Sequence, residues 1–431
     1  MDVAGFESEI GFNGRSAWSR NSREGLRTLT GEAALAIQAR ASFAADLWLN
    51  AKKDRSKLSY AGQSTINGRA SNAVLLTTND NIQIKIYFDA VTNLPIRDEM
   101  TVDGRKVTTD YSDHRPVGGV MMPYALSIVD DGDRFDVKLS DVTASQQIDP
   151  KQFDYPAIAG KPLPDVRALL TELRANEERV DGLLDTYAFT QKDTSRTMTK
   201  DGVLKETGSE TRQLSFYKGY RISRVIEKDG KPLTPSQQAD ADKDAAKRVA
   251  EIEKLIAKET SRDPKGTATG TPSPKSKRIS VAEVLRASKL INPRRERFGG
   301  RDVIVFDFEP DPAFDLKNAQ SMIKFFGKTV GVMWIDEQDK QVVRIEAVLA
   351  DNFNVGGGVL AKLRKGASFI LEQERVNDEI WLPSKADINL SVRVLMVKGI
   401  DINQSIRSYD YRKFGTEVKD ATVNGDKPVT N

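Results

Sequence analysis

The sequence predicts an α+β protein made of two β-rich domains in tandem. Three observations predict it. A set of landmarks occurs twice in the same order, apolar residues alternate with period two through both copies, and an amphipathic helix opens the second copy. The first copy reads Asn67-Gly68-Arg69, then Tyr87-Phe88-Asp89, then Met121-Met122-Pro123-Tyr124. The second reads Gly299-Gly300-Arg301, then Trp334-Ile335-Asp336, then Ile380-Trp381-Leu382-Pro383. The separation grows along the copy, from 232 residues between Gly68 and Gly300 to 247 between Asp89 and Asp336 and 260 between Pro123 and Pro383. A growing separation means insertions in the second copy rather than a short solenoid period.

In the first domain, residues 1–156, Ala34, Ile37, Ala41, Ala44, Ala45 and Trp48 fall near helical spacing and predict a helix over Ala33–Leu49. Beyond Leu58 the pattern is strand, turn, strand. Ile82, Ile84, Ile86 and Phe88 alternate with Gln83, Lys85 and Tyr87, as a half-buried strand requires. Further strands are expected at Ile96–Val102 and Lys106–Ser112, and a hairpin at Tyr124–Val129 and Phe135–Val142 across Asp130-Asp131-Gly132-Asp133.

Residues 157–164 are a Pro/Gly-punctuated linker, and residues 165–415 form the second domain. Val166, Leu169, Leu170, Leu173, Val180, Leu183 and Leu184 put an apolar stripe on a helix over Asp165–Asp185. Strands follow at Thr186–Lys192, Lys205–Phe216 and Tyr220–Lys228. An inserted charged helix and mobile loop occupy 234–278: Thr234-Pro235-Ser236-Gln237 is a capping box, and 260–278 is rich in Ser, Thr, Pro, Gly and Lys. Ser280-Val281-Ala282-Glu283 caps a short helix to Lys289. Strands resume at Asp302–Glu309, a helix is expected at Ala313–Phe326, and strands continue at Thr329–Asp336, Val342–Asp351, Ser368–Arg375, Glu379–Leu382, Ala386–Val397 and Asp401–Phe414. Residues 416–431 are a polar tail.

Composition narrows the chemistry. Sixty-five Lys and Arg against 62 Asp and Glu leave a net charge of +3, too small for a surface that tracks phosphates, so no nucleic-acid partner is expected. There is no cysteine, which removes disulfides, thiolate nucleophiles and cysteine metal sites. No run is long enough to span a membrane, and the N-terminus carries no signal-peptide pattern. The single histidine, His114, lies in Tyr111-Ser112-Asp113-His114-Arg115-Pro116, read as an exposed turn. A Ser-His-Asp relay would have to use it, and no Gly-x-Ser-x-Gly elbow accompanies it. Gly327-Lys328-Thr329 lacks the earlier glycine of a phosphate loop, and Gly356-Gly357-Gly358 lacks the dinucleotide spacing. Asp130, Asp131 and Asp133, and Glu309, Asp311 and Asp315, match no defined calcium loop. No carboxylate pair is singled out as a glycosidase dyad. The expectation is therefore no catalytic residue, no metal and no cofactor.

What remains is apolar strand surface. Ile304, Phe306 and Phe308 share one face of a strand, and Ile388, Leu390, Val392 and Val394 alternate with polar residues on another. Such a face is either packed on its covering helix or bent around a groove that the helix leaves partly empty.

The order Gly14-Arg15-Ser16-Ala17-Trp18, Asn67-Gly68-Arg69, Tyr87-Phe88-Asp89, Val120-Met121-Met122-Pro123 resembles the landmarks of LolA/LolB-like bacterial lipoprotein carriers. Gly300-Arg301, Trp334-Ile335-Asp336, Leu382-Pro383 and Ser408-Tyr409-Asp410-Tyr411 give the second half the same order. The resemblance implies two strongly curved antiparallel β half-barrels with helices on the concave side. The first copy would be N-terminally incomplete, without its first helix and opening strands, and its helix cover reduced. It also implies a non-enzymatic protein of the periplasm or envelope that holds the acyl chains of a lipid or lipidated protein in an apolar cavity. The alternative is an envelope sensor or scaffold that binds a protein partner and no lipid. Strand alternation selects Ile84, Ile86, Phe88, Leu169, Leu173, Ile304, Phe306, Phe308, Trp334, Ile388, Leu390 and Val392 as candidate lining residues.

Overall fold

The structure, a computed structural model, describes residues 2–3, 6–50, 55–102, 105–130, 132–143, 147–156, 162–198, 204–262, 285, 287–317, 319, 321–355, 361–363, 366–394 and 400–414. The central part of the linker, most of the loop up to 284, Gly356-Gly357-Gly358 and the polar tail lie outside the described residues. The chain divides into two compact units, Met1–Ala159 and Gly160–Asn431.

Unit 1 opens with a four-stranded meander, β1 Asp2–Val3, β2 Phe6–Phe12, β3 Ala17–Asn21 and β4 Gly25–Leu29. This meander is a sheet of its own, not paired with the longer sheet of the unit among the described residues. In this meander Gly11 pairs with Trp18, and the indole lies where a Cβ on residue 11 would stand, 2.3 Å from the ring. The glycine lets the tryptophan cover its neighbour strand. Helix α1, Gly31–Ala44, follows. It is shorter than the Ala33–Leu49 pattern, because Asp46 takes a left-handed conformation (φ 54°) and starts a short 3-10 turn, Leu47–Asn50. A seven-stranded meander completes the unit: β5 Lys57–Ile66, β6 Arg69–Thr77, β7 Gln83–Asp89, β8 Pro95–Val102, β9 Arg105–Val117, β10 Val120–Asp130 and β11 Asp133–Lys138. His114 is inside β9, half-buried and paired with Pro123, and not in an exposed turn. Burial pushes its pKa down.

Unit 2 begins with α2, Val166–Leu184, whose Asp165 cap accepts the Ala168 N–H at 2.9 Å. Strands β12 Tyr187–Met198, β13 Leu204–Tyr217, β14 Tyr220–Lys228 and β15 Lys231–Pro232 precede the charged helix α3, Pro235–Arg262. Then come β16 Ser288–Phe298, β17 Arg301–Pro310, the short α4 Ser321–Phe326, β18 Thr329–Asp336, β19 Val342–Leu349, β20 Phe353–Val355, β21 Ala361–Leu363, β22 Ser368–Val376, β23 Ile380–Val394 and β24 Ile400–Lys413. Most of the short helix expected from Ser280 to Lys289 lies outside the described residues, and Ser288 and Lys289 belong to β16. The helix expected at Ala313–Phe326 survives only as α4, because Asp311 and Asp315 take the N–H groups of Ala313 and Lys317 into turns. The two strands expected around Pro383 are one, since a register shift between Glu372 and Gln373 on the partner strand accommodates the proline. The main strand order is β15-β14-β13-β12-β24-β23-β22-β19-β18-β17-β16, all antiparallel, and neither long sheet closes into a barrel among the described residues.

The two units share a turn in atomic detail. Asp89 ends β7, and its carboxylate accepts N–H bonds from Val91 at 3.0 Å and Thr92 at 2.8 Å, while its backbone carbonyl accepts from Asn93 (φ 57°). Asp336 ends β18, and its carboxylate accepts from Gln338 at 3.0 Å and Asp339 at 2.6 Å, while its carbonyl accepts from Lys340 (φ 52°). The next strand then starts one residue after the pair Asp89–Leu94 or Asp336–Gln341. The arginine that follows the glycine turn faces the same carboxylate. Arg301 binds Asp336 at 2.5 Å, and Arg69 helps the Thr92 and Val91 N–H groups hold the Asp89 carboxyl below its usual range. Each carboxylate thereby fixes the register of two hairpins.

Asp336 is fully buried, so its removal takes the acceptor from the Gln338 and Asp339 N–H groups and leaves Arg301 only its contacts to Asp339 and Gln338. Asp336→Ala is expected to cost about 3 kcal/mol of unit 2 stability, and Asp336→Asn less, measured by urea unfolding; a cost below about 0.5 kcal/mol would contradict this role. Burial raises the Asp336 pKa, but Arg301 and the N–H groups of Asp339 and Gln338 outweigh it, and the net shift is downward from 3.8. The contribution is therefore complete above that value and is lost as pH falls through the depressed folded one.

Candidate functional site

In both units a helix lies on one sheet face, and the quality of that cover differs. In unit 2, Leu169 and Leu173 of α2 pack on Ile304, Phe306, Phe308, Met333, Ile345 and Phe369 as one buried cluster. Farther along the helix, Val180 and Leu184 pack on Tyr187, Val376, Ile380 and Leu382. The 19 residues of α2 reach about 28 Å, long enough to seal two patches of the same sheet. Leu169, Leu173, Ile304, Phe306 and Phe308 are thus brought together in one buried cluster. Ile388 joins them as a partly buried neighbour. Leu390 is half-buried and outside that cluster, and the Val392 side chain lies outside the described residues. Trp334 is on the other face. It pairs with Val305 and packs with Val303, Val343 and Trp381, and its indole N–H donates to Glu296 at 3.2 Å.

In unit 1, α1 is 14 residues long and sets small side chains on its sheet. Ala36 and Ala39 pack with Leu76, Ile84, Ile86 and Met100, and Phe43, Trp48, Ile82 and Phe88 pack at the margin. The same face continues beyond the helix on both sides. Leu58 stands opposite Leu76, and Tyr60 opposite Val74, so both belong to the covered face, yet they are 45% and 66% exposed. On the far side Ile128 stands opposite Thr109 and Phe135, and Leu126 opposite Tyr111 and Val137; these apolar residues are only half-buried. Sequence alternation found Ile84, Ile86 and Phe88, but those are the covered part. It missed Leu58, Tyr60, Leu126 and Ile128, whose shared face is readable only from strand register.

Between these flanks lies a polar cluster. Arg40 of α1 reaches Asp98 at 2.5 Å and the Thr109 hydroxyl at 2.9 Å, and the Tyr111 hydroxyl donates to Asp98. Asp98 is 1% exposed. Burial, aided by the Asp98 charge, pushes the Tyr111 hydroxyl upward and keeps it protonated as a donor. Asp98 is the fourth residue of β8, and the fourth residue of β19 is Ile345, which sits in the apolar core of unit 2. Unit 1 thus anchors its helix by an ion pair where unit 2 uses hydrocarbon.

Two surface clefts complete the geometry. One, of about 490 Å³, opens at the start of α1 over Ile82 and Met100 and is rimmed by Glu32, Lys85, Glu99 and Lys106. The other, of about 540 Å³, lies at the Arg301–Asp336 turns of unit 2 and is lined mostly by charged residues. Among the described residues no three His, Asp or Glu side chains converge as metal ligands, and no helix is long and apolar enough to cross a membrane.

No family model matches the chain, and no curated protein matches it significantly. Among solved structures it is similar to a putative outer membrane lipoprotein-sorting protein domain from Vibrio parahaemolyticus, at 11% identity and TM-score 0.23, over 59% of this chain and 95% of that one. It is similar to a DUF1329 family protein from Desulfovibrio piger, at 10% identity and TM-score 0.25, over 59% and 94%. It is also similar to a LolA superfamily protein from Nitrosomonas europaea, at 9% identity and TM-score 0.21, over 56% and 93%.

Removing one member of the buried pair strands the other. Asp98→Ala is expected to destabilise unit 1 by about 3–5 kcal/mol. The double variant Arg40→Leu/Asp98→Ile, which copies the apolar solution of unit 2, should recover most of that loss in thermal unfolding. A double variant no more stable than Asp98→Ala would show that the pair does more than hold the helix.

Proposed function

We propose that this is a non-enzymatic envelope protein that binds a lipid or lipidated protein and takes an acyl chain on the half-covered sheet face of unit 1. The observation that carries the proposal is the contrast between the two covers. The face sealed by leucines in unit 2 is flanked in unit 1 by Leu58 and Tyr60 on one side and Leu126, Ile128 and Phe135 on the other, all open to solvent in some degree. Apolar strand surface left open on either side of a helix is the feature that an apolar ligand completes. In this reading the units are tandem copies, the first with reduced helix cover, and each sheet curves about its helix. Ile84, Ile86 and Phe88 form the floor of the first face, and unit 2 is a sealed partner domain.

The energetics are sufficient without a polar anchor. Each methylene removed from water contributes about 0.8 kcal/mol, so eight laid against one of these flanks contribute about 6 kcal/mol before ordering costs. Nothing in that process needs a nucleophile, a metal or a cofactor. A second reading, a scaffold that binds only protein, is favoured for unit 2 by its filled interior. In that case unit 2 contributes surface rather than a cavity.

Native mass spectrometry of the purified chain is expected to show adducts of lipid mass, and a fluorescent fatty-acyl probe should be taken up. Tyr60→Asp or Ile128→Asp should lower uptake at least tenfold with little change in melting temperature. A clean apo mass together with no uptake by the unsubstituted chain would remove the acyl-binding reading and leave the scaffold.

A further inference from the structure

We infer that the outer edge of β11 in unit 1 pairs antiparallel with the same edge of a second copy of this chain. The strand order leaves four end strands on the two long sheets, β5 and β11 in unit 1 and β15 and β16 in unit 2. An end strand offers unpaired backbone donors and acceptors to any strand that can lie beside it, and three of the four are blunted against this. Strand β5 is interrupted between Tyr60 and Gln63 by a register shift at Gly62 (φ 93°). Strand β15 is two residues long, and one of them is Pro232. Strand β16 carries Pro293 inside a register shift between Ile291 and Arg294. Strand β11 has no proline and pairs with β10 without a shift over all six residues, Asp133–Lys138. In unit 2 the strand after the proline-bearing β23 is β24, and it pairs with β23 on one side and β12 on the other. In unit 1 the strand after the proline-bearing β10 is β11, and among the described residues it pairs with β10 alone.

Charge and hydrogen-bond direction select the partner and the register. The Leu139 N–H donates to the Tyr124 carbonyl of β10 at 2.8 Å. By alternation Val137 and Phe135 also turn their backbone groups to β10, and Arg134, Asp136 and Lys138 turn theirs to the open side. Two antiparallel copies must therefore set even-numbered residues against even-numbered ones. Arg134 against Arg134, or Asp136 against Asp136, places like charges directly opposite each other. Asp136 against Lys138 matches charge but overlaps only the last three residues of the strand. Arg134 against Asp136 matches charge over the whole strand and is self-complementary, because a two-fold axis repeats it as Asp136 against Arg134. Each of these pairs exchanges both of its N–H···O bonds. The two side chains are 65% and 61% exposed and already pair along the strand at 3.0 Å, so the second copy completes a cluster of two cations and two anions. Phe135, half-buried, falls on the axis and meets its own counterpart at a non-hydrogen-bonded position, with Cα atoms about 4.5 Å apart. Val137 meets Asp133, the one unmatched pair. The pairing goes beyond the acyl-binding reading and does not rest on it; it would join the Leu126, Ile128 and Phe135 flanks of two copies on one sheet face.

Sedimentation velocity of the full chain tests it. The unsubstituted chain is expected to be dimeric at about 100 µM and monomeric at about 1 µM. Arg134→Asp or Asp136→Arg sets like charges opposite each other and should weaken the dimer about tenfold with little change in melting temperature. The charge swap Arg134→Asp/Asp136→Arg should restore the dimer, and so should an equimolar mixture of the two single variants. The chain has no cysteine, so Phe135→Cys should give a disulfide-linked dimer on mild oxidation, whereas Val137→Cys should not. A chain that stays monomeric at about 100 µM, a dimer that both single variants leave intact, or a swap that fails to restore it would overturn the inference. Cross-linking by Val137→Cys and not by Phe135→Cys would overturn it too. So would slow hydrogen exchange of the Arg134 and Asp136 amides in the monomer, because another segment of the same chain would then hold the edge.

Discussion

A β-sheet with one apolar face needs a cover, and the area a helix can cover depends on its length and on the reach of its side chains. The two units resolve this constraint differently on similar strands. Helix α2 brings leucines at 169, 173 and 184 and valine at 180, which fill the space above two successive clusters. Helix α1 brings alanines at 36 and 39, so it lies over few rows and leaves the flanking ones to solvent. An alanine face gives little apolar contact of its own, and the Arg40–Asp98 pair supplies the hold. The half-open face and the buried charge beneath it both descend from that choice of small side chains.

The strands themselves are held independently of their covers. Asp89 and Asp336 each close a turn and each face an arginine from the preceding glycine hairpin. A slip of one residue would turn Ile84 and Ile86, or Phe306 and Phe308, to the other face. The register must therefore be set by local polar chemistry at the turns rather than by how well the helix packs.

Much of this was legible in the amino-acid order. The alternation at Ile82–Phe88 and Thr329–Asp336 marks β7 and β18, and the leucine stripe marks α2. The growing separation between landmarks, 247 residues at the two aspartates, goes with two turns that make the same backbone hydrogen bonds. What was not legible depends on pairs distant in sequence. Trp334 alternates like its neighbours, and only its pairing with Val305 shows that it lies on the face away from Phe306. Asp98 is one carboxylate among many until Arg40, 58 residues earlier, arrives above it. The polar strands of the opening meander hide because Glu7, Ser8 and Glu9 carry no strong period, and the Gly11–Trp18 contact that steadies them joins two strands. Leu58 and Tyr60 show as ordinary strand residues, and their exposure reflects how short α1 is.

The carboxylate-headed turns have a bearing on how such a protein can change. Because they pin the hairpins without help from the helical layer, replacement of that layer leaves the ladder of strands undisturbed. A sequence free to exchange leucine for alanine above a fixed platform can convert a closed interior into a receptive one in few steps. With two such units in a single chain, one can keep its cover while the cover of the other varies.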